Sequence, residues 1–276
     1  MEKLQAALDK ARERREGSVP PSGLSSQRPS QRAPLEDRWK ALKPIHTDPK
    51  ILRKNRVFFK DSQNSEAASF DVLRTKVLLQ MEKNGWTRMA VTSAGSRAGK
   101  STVCCNLASS IARQQSIRAI FMDLDMRNPS MAKKLGVETD GTVADMMTGS
   151  ISFEEHASRL GPNVALAMNA RPVKDPSDVF LDDATGNFLR RLEQEYQPNL
   201  MVFDVPPIFV SDDATAIFSH VDCVLIVVDA ERSTIPDLDR CEKEVADHAN
   251  VLGMVLNKCR FPEAGYGYGY GYGKKS

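Results

Sequence analysis

Between residues 94 and 102 the chain reads Ala94-Gly95-Ser96-Arg97-Ala98-Gly99-Lys100-Ser101-Thr102, two glycines followed by a lysine and two hydroxyl residues. The spacing is that of a Walker A phosphate loop in its relaxed form, with alanine at the first glycine position. Gly95 and Gly99 let the backbone amides curl around phosphate oxygens, and a helix opening at Lys100 turns its positive dipole end toward the same anion. Lys100 is placed to bridge the β- and γ-phosphates of ATP, and the Ser101 hydroxyl to complete a magnesium shell. The mechanism demands a strand before the loop and a helix after it. Met89-Ala90-Val91-Thr92 reads as the strand and Lys100 to Gln114 as the helix.

Magnesium prefers octahedral oxygen ligation and is usually held through carboxylates, waters and the nucleotide, so one hydroxyl is not enough. Phe121-Met122-Asp123-Leu124-Asp125-Met126-Arg127 puts two acids at the end of an apolar run, and Leu200-Met201-Val202-Phe203-Asp204-Val205-Pro206-Pro207 puts a third. In an open parallel sheet the C-terminal strand ends lie on one edge, beside the loop, where ligands bind. The alternative is that these acids only cap helices or turns. Three of them converging on a phosphate loop favour the metal. Arg127 and Arg97 are candidate charge stabilisers or surface residues.

A second chemical feature closes the chain, where Tyr266, Tyr268, Tyr270 and Tyr272 alternate with glycine ahead of Lys274, Lys275 and Ser276. Glycine at every second position makes regular structure entropically costly, so the phenols are expected to face solvent. They are either a low-complexity sticky end or a substrate presented to a tyrosine-modifying site.

The elements that must position these residues follow from periodicity. A helix is predicted from Ser65 to Lys83, then strand and helix alternate: strand Ile117 to Leu124, one long helix Ser177 to Glu195, strand Leu200 to Val205, helix Asp212 to Phe218, strand Val221 to Val228, helix Ile235 to His248 and strand Val251 to Leu256. Near-continuous apolar strands separated by helices predict an α/β fold, a doubly wound and mostly parallel sheet covered on both faces. Residues 64–260 are expected to form this P-loop domain. Residues 1–63 are expected to hold a short amphipathic helix over residues 4–14 and a Ser/Pro/Gly-rich disordered linker outside the fold, and residues 261–276 a flexible Tyr-Gly tail.

Composition excludes several classes. With 38 basic against 36 acidic residues the net charge is +2, which gives no reason to expect nucleic acid as a partner. Five cysteines without metal-ligand spacing argue against a disulfide framework or structural zinc and suit a reducing cytoplasm. The longest apolar run, Cys223 to Val228, falls well short of the roughly 18 residues of a membrane span, and the N-terminus has no apolar signal region, so the chain is expected to be neither secreted nor membrane-spanning.

The chain resembles the bacterial tyrosine kinases of capsule and exopolysaccharide assembly, known as BY-kinases. The resemblance runs from about Ser65 to the C-terminus. It rests on the Walker A loop, a second acidic strand end called Walker A′ with Asn128-Pro129-Ser130 after it, the Asp-x-Pro-Pro form of Walker B at Asp204 to Pro207, the segment Gly253-Met254-Val255-Leu256-Asn257-Lys258 and the tyrosine cluster. It implies ATP-dependent autophosphorylation of the tail, within a homo-oligomer, using Mg²⁺. Lys100 with Ser101 or Thr102 would bind nucleotide and metal, Asp125 and Asp204 would serve magnesium, and Asp123 would take the phenol proton. It also implies a membrane-spanning polysaccharide co-polymerase or adaptor as partner, with the kinase held peripherally at the inner face of the plasma membrane. One departure concerns the helix before the core, where the family's Glu-x-x-Arg-x-x-Arg pattern keeps only Arg74 and has Asp71 at the first arginine position. The alternative, on the same fold, is a MinD/ParA-like ATPase that positions or assembles other components without phosphorylating them. Against it, the loop starts with Ala94-Gly95 where those ATPases have Lys-Gly-Gly.

Overall fold

The structure is a computed structural model and describes residues 34–59 and 65–259. The helix expected at residues 4–14, nearly all of the linker and the tyrosine tail lie outside these residues. Among the described residues eight strands form one sheet: β1 (Lys43–Pro44), β2 (Arg88–Thr92), β3 (Ala119–Asp123), β4 (Ser158–Leu160), β5 (Val164–Ala167), β6 (Leu200–Asp204), β7 (Cys223–Asp229) and β8 (Asn250–Asn257). Their spatial order is β1-β4-β5-β3-β6-β2-β7-β8. Every pairing is parallel except β4 with β5.

Period-two alternation sorts the central strands between two apolar layers. On β3, Ile120 and Met122 join the layer that holds Phe188, Leu192 and Tyr196 from the helix Asp183–Tyr196. Ala119 and Phe121 join the other layer, with Val103, Leu107 and Ile111 from the helix Lys100–Ala112. Both faces are therefore covered, as the unbroken apolar strands predicted. Among the described residues no helix is long and apolar enough to cross a membrane.

Three features differ from expectation. The long helix predicted from Ser177 to Glu195 is two helices, Pro176–Leu181 and Asp183–Tyr196, because Asp182 is extended (φ −72°, ψ 134°) and its carboxylate caps the second by accepting from the Ala184 N–H at 2.8 Å. The strands β4 and β5, an antiparallel hairpin, were not predicted: three and four residues are too few for a periodic pattern to register. The third difference concerns residues 34–59, which pack on the domain rather than standing outside it as part of the expected N-terminal extension. Trp39 is 2% exposed, stands edge-on to the Tyr196 ring at 5.8 Å, and donates from Nε1 to the Tyr196 carbonyl at 3.0 Å. Further along, the Phe58 N–H donates to Asn106 Oδ1 at 2.8 Å and Ser109 Oγ donates to the Phe58 carbonyl at 2.6 Å, fastening the segment to the helix that begins at the phosphate loop. A few anchors spaced through a polar stretch carry no periodic signal. Trp39→Ala is expected to lower the unfolding free energy by about 3 kcal/mol or more, read as a shifted urea midpoint. An unchanged midpoint would mean the segment contributes nothing to the fold.

Candidate functional site

Strand register brings the three motifs together. Asp204 at the end of β6 lies opposite Val91 of β2 on one side and Asp123 of β3 on the other. Because side chains alternate, Asp123 falls on the same face as Phe121, and Asp204 on that of Val202, the face covered by the helix Lys100–Ala112. Both carboxylates are thus aimed at that helix's N-terminus. The Walker B turn is tied to the loop's base: Thr92 Oγ1 donates to the Pro206 carbonyl at 2.8 Å and the Ile208 N–H to the Ser93 carbonyl at 3.0 Å.

The loop crest, Gly95, Ser96 and Arg97, is exposed, whereas Ala98, Lys100 and Ser101 are buried and Thr102 half-buried. Arg97 (φ 65°) and Gly99 (φ 99°) are both left-handed. A β-carbon at Gly99 would run into the Asn257 carboxamide, so glycine is required there twice over. The first intrahelical bond runs from the Val103 N–H to the Gly99 carbonyl, and among the described residues the N–H groups of residues 96–102 have no acceptor. An array of free amides ahead of a helix is an anion cradle.

Lys100 is 6% exposed, with Nζ 3.8 Å from Asp125 Oδ2. Ser130 Oγ, just past the second acidic turn, donates to Ser101 Oγ at 2.7 Å. Asp123 is fully buried: Oδ2 accepts from the Ser130 and Met131 N–H groups at 2.9 and 3.0 Å, and Oδ1 has no partner. Asp204 is fully buried and neither of its oxygens has a partner within hydrogen-bond distance, although the Ser101 hydroxyl is near enough to lower its carboxyl. Burial pushes both carboxyls above the ordinary range. The Asp204 charge raises Asp123 further, and the Lys100 ammonium draws Asp204 partway back. Asp125 is also raised by burial and lowered by Lys100.

Buried carboxylate oxygens without donors are costly unless a cation satisfies them. Asp204, Asp125 and the Ser101 hydroxyl are hard oxygen donors on one side of the loop, and they fit magnesium. Among the described residues no three acidic, His or Cys side chains make a ready-made cage. Magnesium suits such a site, because it keeps waters and takes further oxygens from phosphates.

Arg127 is not free to act on a bound phosphate as it stands. Its guanidinium forks onto Asp213, Nε to Oδ2 at 2.6 Å and Nη2 to Oδ1 at 3.0 Å. Asp71 also has an internal role: it pairs with Arg113 and lies 3.4 Å from Arg74 Nη1, while Arg74 donates to the Ser110 carbonyl at 3.0 Å. Three residues at the loop had no assigned role in the sequence. Asn257 Nδ2 donates to the Ala98 carbonyl at 2.8 Å, and Lys258 Nζ to the Arg97 carbonyl and to Asp229 Oδ2 at 2.6 and 2.7 Å. Asp229 could have been found as a further acid at the end of a parallel strand. Nothing local marks Asn257 or Lys258 as loop ligands. The four tyrosines lie outside the described residues.

The family described as "CobQ/CobB/MinD/ParA nucleotide binding domain" matches residues 89–265. Among individual proteins, EpsB of Ralstonia nicotianae is 28% identical over 188 residues, 67% of this chain and 24% of that protein. The tyrosine-protein kinase wzc of Salmonella typhi is 26% identical over 196 residues, 70% of this chain and 27% of that protein. The chain therefore spans about a quarter of the length of these relatives. The kinase domain of the Escherichia coli tyrosine kinase ETK superposes with a TM-score of 0.67 at 20% identity, covering 78% of this chain and 84% of that one, a likeness of fold.

Proposed function

Because the chain belongs to the CobQ/CobB/MinD/ParA nucleotide-binding family, we propose that it is an ATP- and magnesium-dependent protein-tyrosine autokinase whose acceptors are Tyr266, Tyr268, Tyr270 and Tyr272. One observation carries this reading beyond nucleotide binding: the chain that bears the tyrosines leaves from the phosphate loop itself, since Asn257 and Lys258 are hydrogen-bonded to its carbonyls. From Lys258 to Tyr266 is eight residues, roughly 27 Å when extended, so the phenols stay within reach of this site or a neighbour's.

ATP with magnesium supplies the transferable phosphoryl group and neutralises its charge. Residues 95–102 hold the phosphates through backbone N–H groups, and Lys100 adds a fixed cation. Ser101, Asp125 and Asp204 hold the metal. Asp123 takes the phenol proton at Oδ1, its other oxygen being fixed by two amides. A phenol of pKa about 10 needs such a base to lose its proton at neutral pH.

The relatives named as tyrosine kinases support a wider reading. We assign a membrane-spanning polysaccharide co-polymerase or adaptor as partner, a homo-oligomer as the working form, and a position at the cytoplasmic face of the plasma membrane. The activity would then regulate polymerisation and export of capsule or exopolysaccharide.

The test is incubation of the full chain with Mg-ATP and mass spectrometry of the terminal peptide. Phosphate on residues 266–272 is expected. Hydrolysis of ATP with the peptide unmodified would replace this reading with a nucleotide-dependent positioning ATPase. Mixing Lys100→Met, which keeps its tyrosines, with a variant in which all four are phenylalanine is expected to restore phosphate to the Lys100→Met tail, the mark of transfer between subunits.

A further inference from the structure

We infer that Lys258 is a positioning residue of the phosphate-binding loop: anchored on Asp229, its ammonium holds the Arg97 carbonyl outward and so aims the Ala98 N–H at the bound phosphate. This rests on the nucleotide site proposed above and gives a role to a residue that lies outside the loop itself.

The argument starts from the peptide bond. In a planar trans peptide the C=O of one residue and the N–H of the next point in opposite directions. The Arg97 carbonyl, drawn toward Lys258 Nζ at 2.6 Å, therefore fixes the Ala98 N–H on the far side of the loop. The Ala98 carbonyl, bonded to Asn257 at 2.8 Å, fixes the Gly99 N–H in the same sense. Both amides belong to the unpaired array ahead of the helix Lys100–Ala112. Two consecutive donors of the cradle are thus set by side chains from the end of β8, 159 and 161 residues away in sequence.

The clamp is built rather than incidental. Lys258 is left-handed (φ 62°), a conformation unfavourable for an L-residue, and its N–H is held by Asn257 Oδ1 at 2.9 Å. Asp229 is 3% exposed, its second oxygen accepting from the Glu231 N–H at 3.0 Å. Burial alone would raise the Asp229 carboxyl. Lys258 and the Glu231 N–H nonetheless hold it below its ordinary range, so the anchor is ionised at neutral pH. The carboxylate and the carbonyl both hold the ammonium, and the backbone N–H bond to Asn257 holds the other end of the stem. Without it, the left-handed Arg97 peptide could turn over, and the cradle would lose a donor before any ligand arrives.

The test uses the full chain and Mg-ADP, with titration calorimetry and the amide resonance of Ala98 as readouts. Lys258→Met keeps the length of the side chain and removes its donors. It is expected to weaken Mg-ADP about tenfold, the worth of one hydrogen bond to a charged donor, and to abolish the binding shift of the Ala98 amide. Lys258→Arg is expected to recover most of the affinity and the shift. Asp229→Asn, which frees the ammonium, gives a smaller loss of the same kind and serves if Lys258→Met fails to fold. Affinity within twofold of wild type in both variants would overturn the inference, and so would a weakened affinity with the Ala98 shift intact. Wild-type protein that binds no Mg-ADP at all would instead overturn the nucleotide site on which the inference rests.

Discussion

Lys100→Met is expected to reduce phosphate transfer to the tail at least about a thousandfold, read as incorporation into the terminal peptide under saturating Mg-ATP. A thousandfold is about 4 kcal/mol of transition-state stabilisation, the scale of a fixed charge acting on developing charge in a site shielded from water. Lys100 is 6% exposed and sits on the first helical turn, where the amides already favour an anion, so its charge is little screened. The substitution also leaves Asp125, whose nearest cation is the Lys100 ammonium at 3.8 Å, without its counter-charge. Asp125→Asn in the same background separates the two effects: it relieves any loss of stability and recovers no transfer. Transfer within tenfold of wild type would remove Lys100 from the reacting phosphate and with it the reading of the loop.

Asp204→Asn is expected to act in opposite directions on activity and on stability. Transfer falls at least about a hundredfold if Asp204 is the metal ligand proposed above. The nucleotide-free protein becomes more stable by about 1 to 3 kcal/mol, because a fully buried carboxylate with no partner on either oxygen is replaced by a neutral group. The dependence on pH has a definite sign. Burial raises the Asp204 carboxyl in the folded state, so the folded protein binds its proton more tightly than the unfolded chain does. The group's contribution is therefore present at low pH and is lost as pH rises out of the ordinary carboxylate range through the raised folded value. Melting at pH 5 and pH 8 without nucleotide should show the variant's advantage growing toward pH 8. Added Mg-ADP should stabilise wild type and leave the variant unmoved. A variant less stable than wild type at pH 8 would mean that Asp204 already has a partner.

Much of this site is legible in the chain because its parts are contiguous. A phosphate cradle needs glycines, a lysine and a hydroxyl within a few residues, and an acid that serves a metal at a strand end directly follows an apolar run. Gly95 to Thr102, Asp123, Asp125 and Asp204 all carry that local mark, and the alternation of strand and helix is enough to put them on one edge of a sheet. Arg127 illustrates the limit. Its place after two acids suggests a charge stabiliser, but its partner Asp213 lies 86 residues on, and no local pattern announces the pair.

The same limit explains the misread segments. Residues 34–59 form only short elements, the helices Leu35–Ala41 and Pro49–Lys54 and the strand β1, and their attachment depends on single side chains such as Trp39 meeting the carbonyl of Tyr196, 157 residues away. The break at Asp182 interrupts an apolar periodicity that continues on either side, so composition could not reveal it.

By itself the sequence determined the chemistry available to this protein: a phosphate loop, three acids at strand ends, and a run of phenols after the last strand, each encoded by residues close together in the chain. Tertiary structure alone decided how that chemistry is held. The order of the strands places β8 so that Asn257 and Lys258 grip the loop's carbonyls, and the register of β3 on β6 sets Asp123 beside Asp204 with oxygens that lack donors. A hydrogen bond or a buried charge takes its value from what surrounds it, and those surroundings come from residues 81 to 161 positions apart.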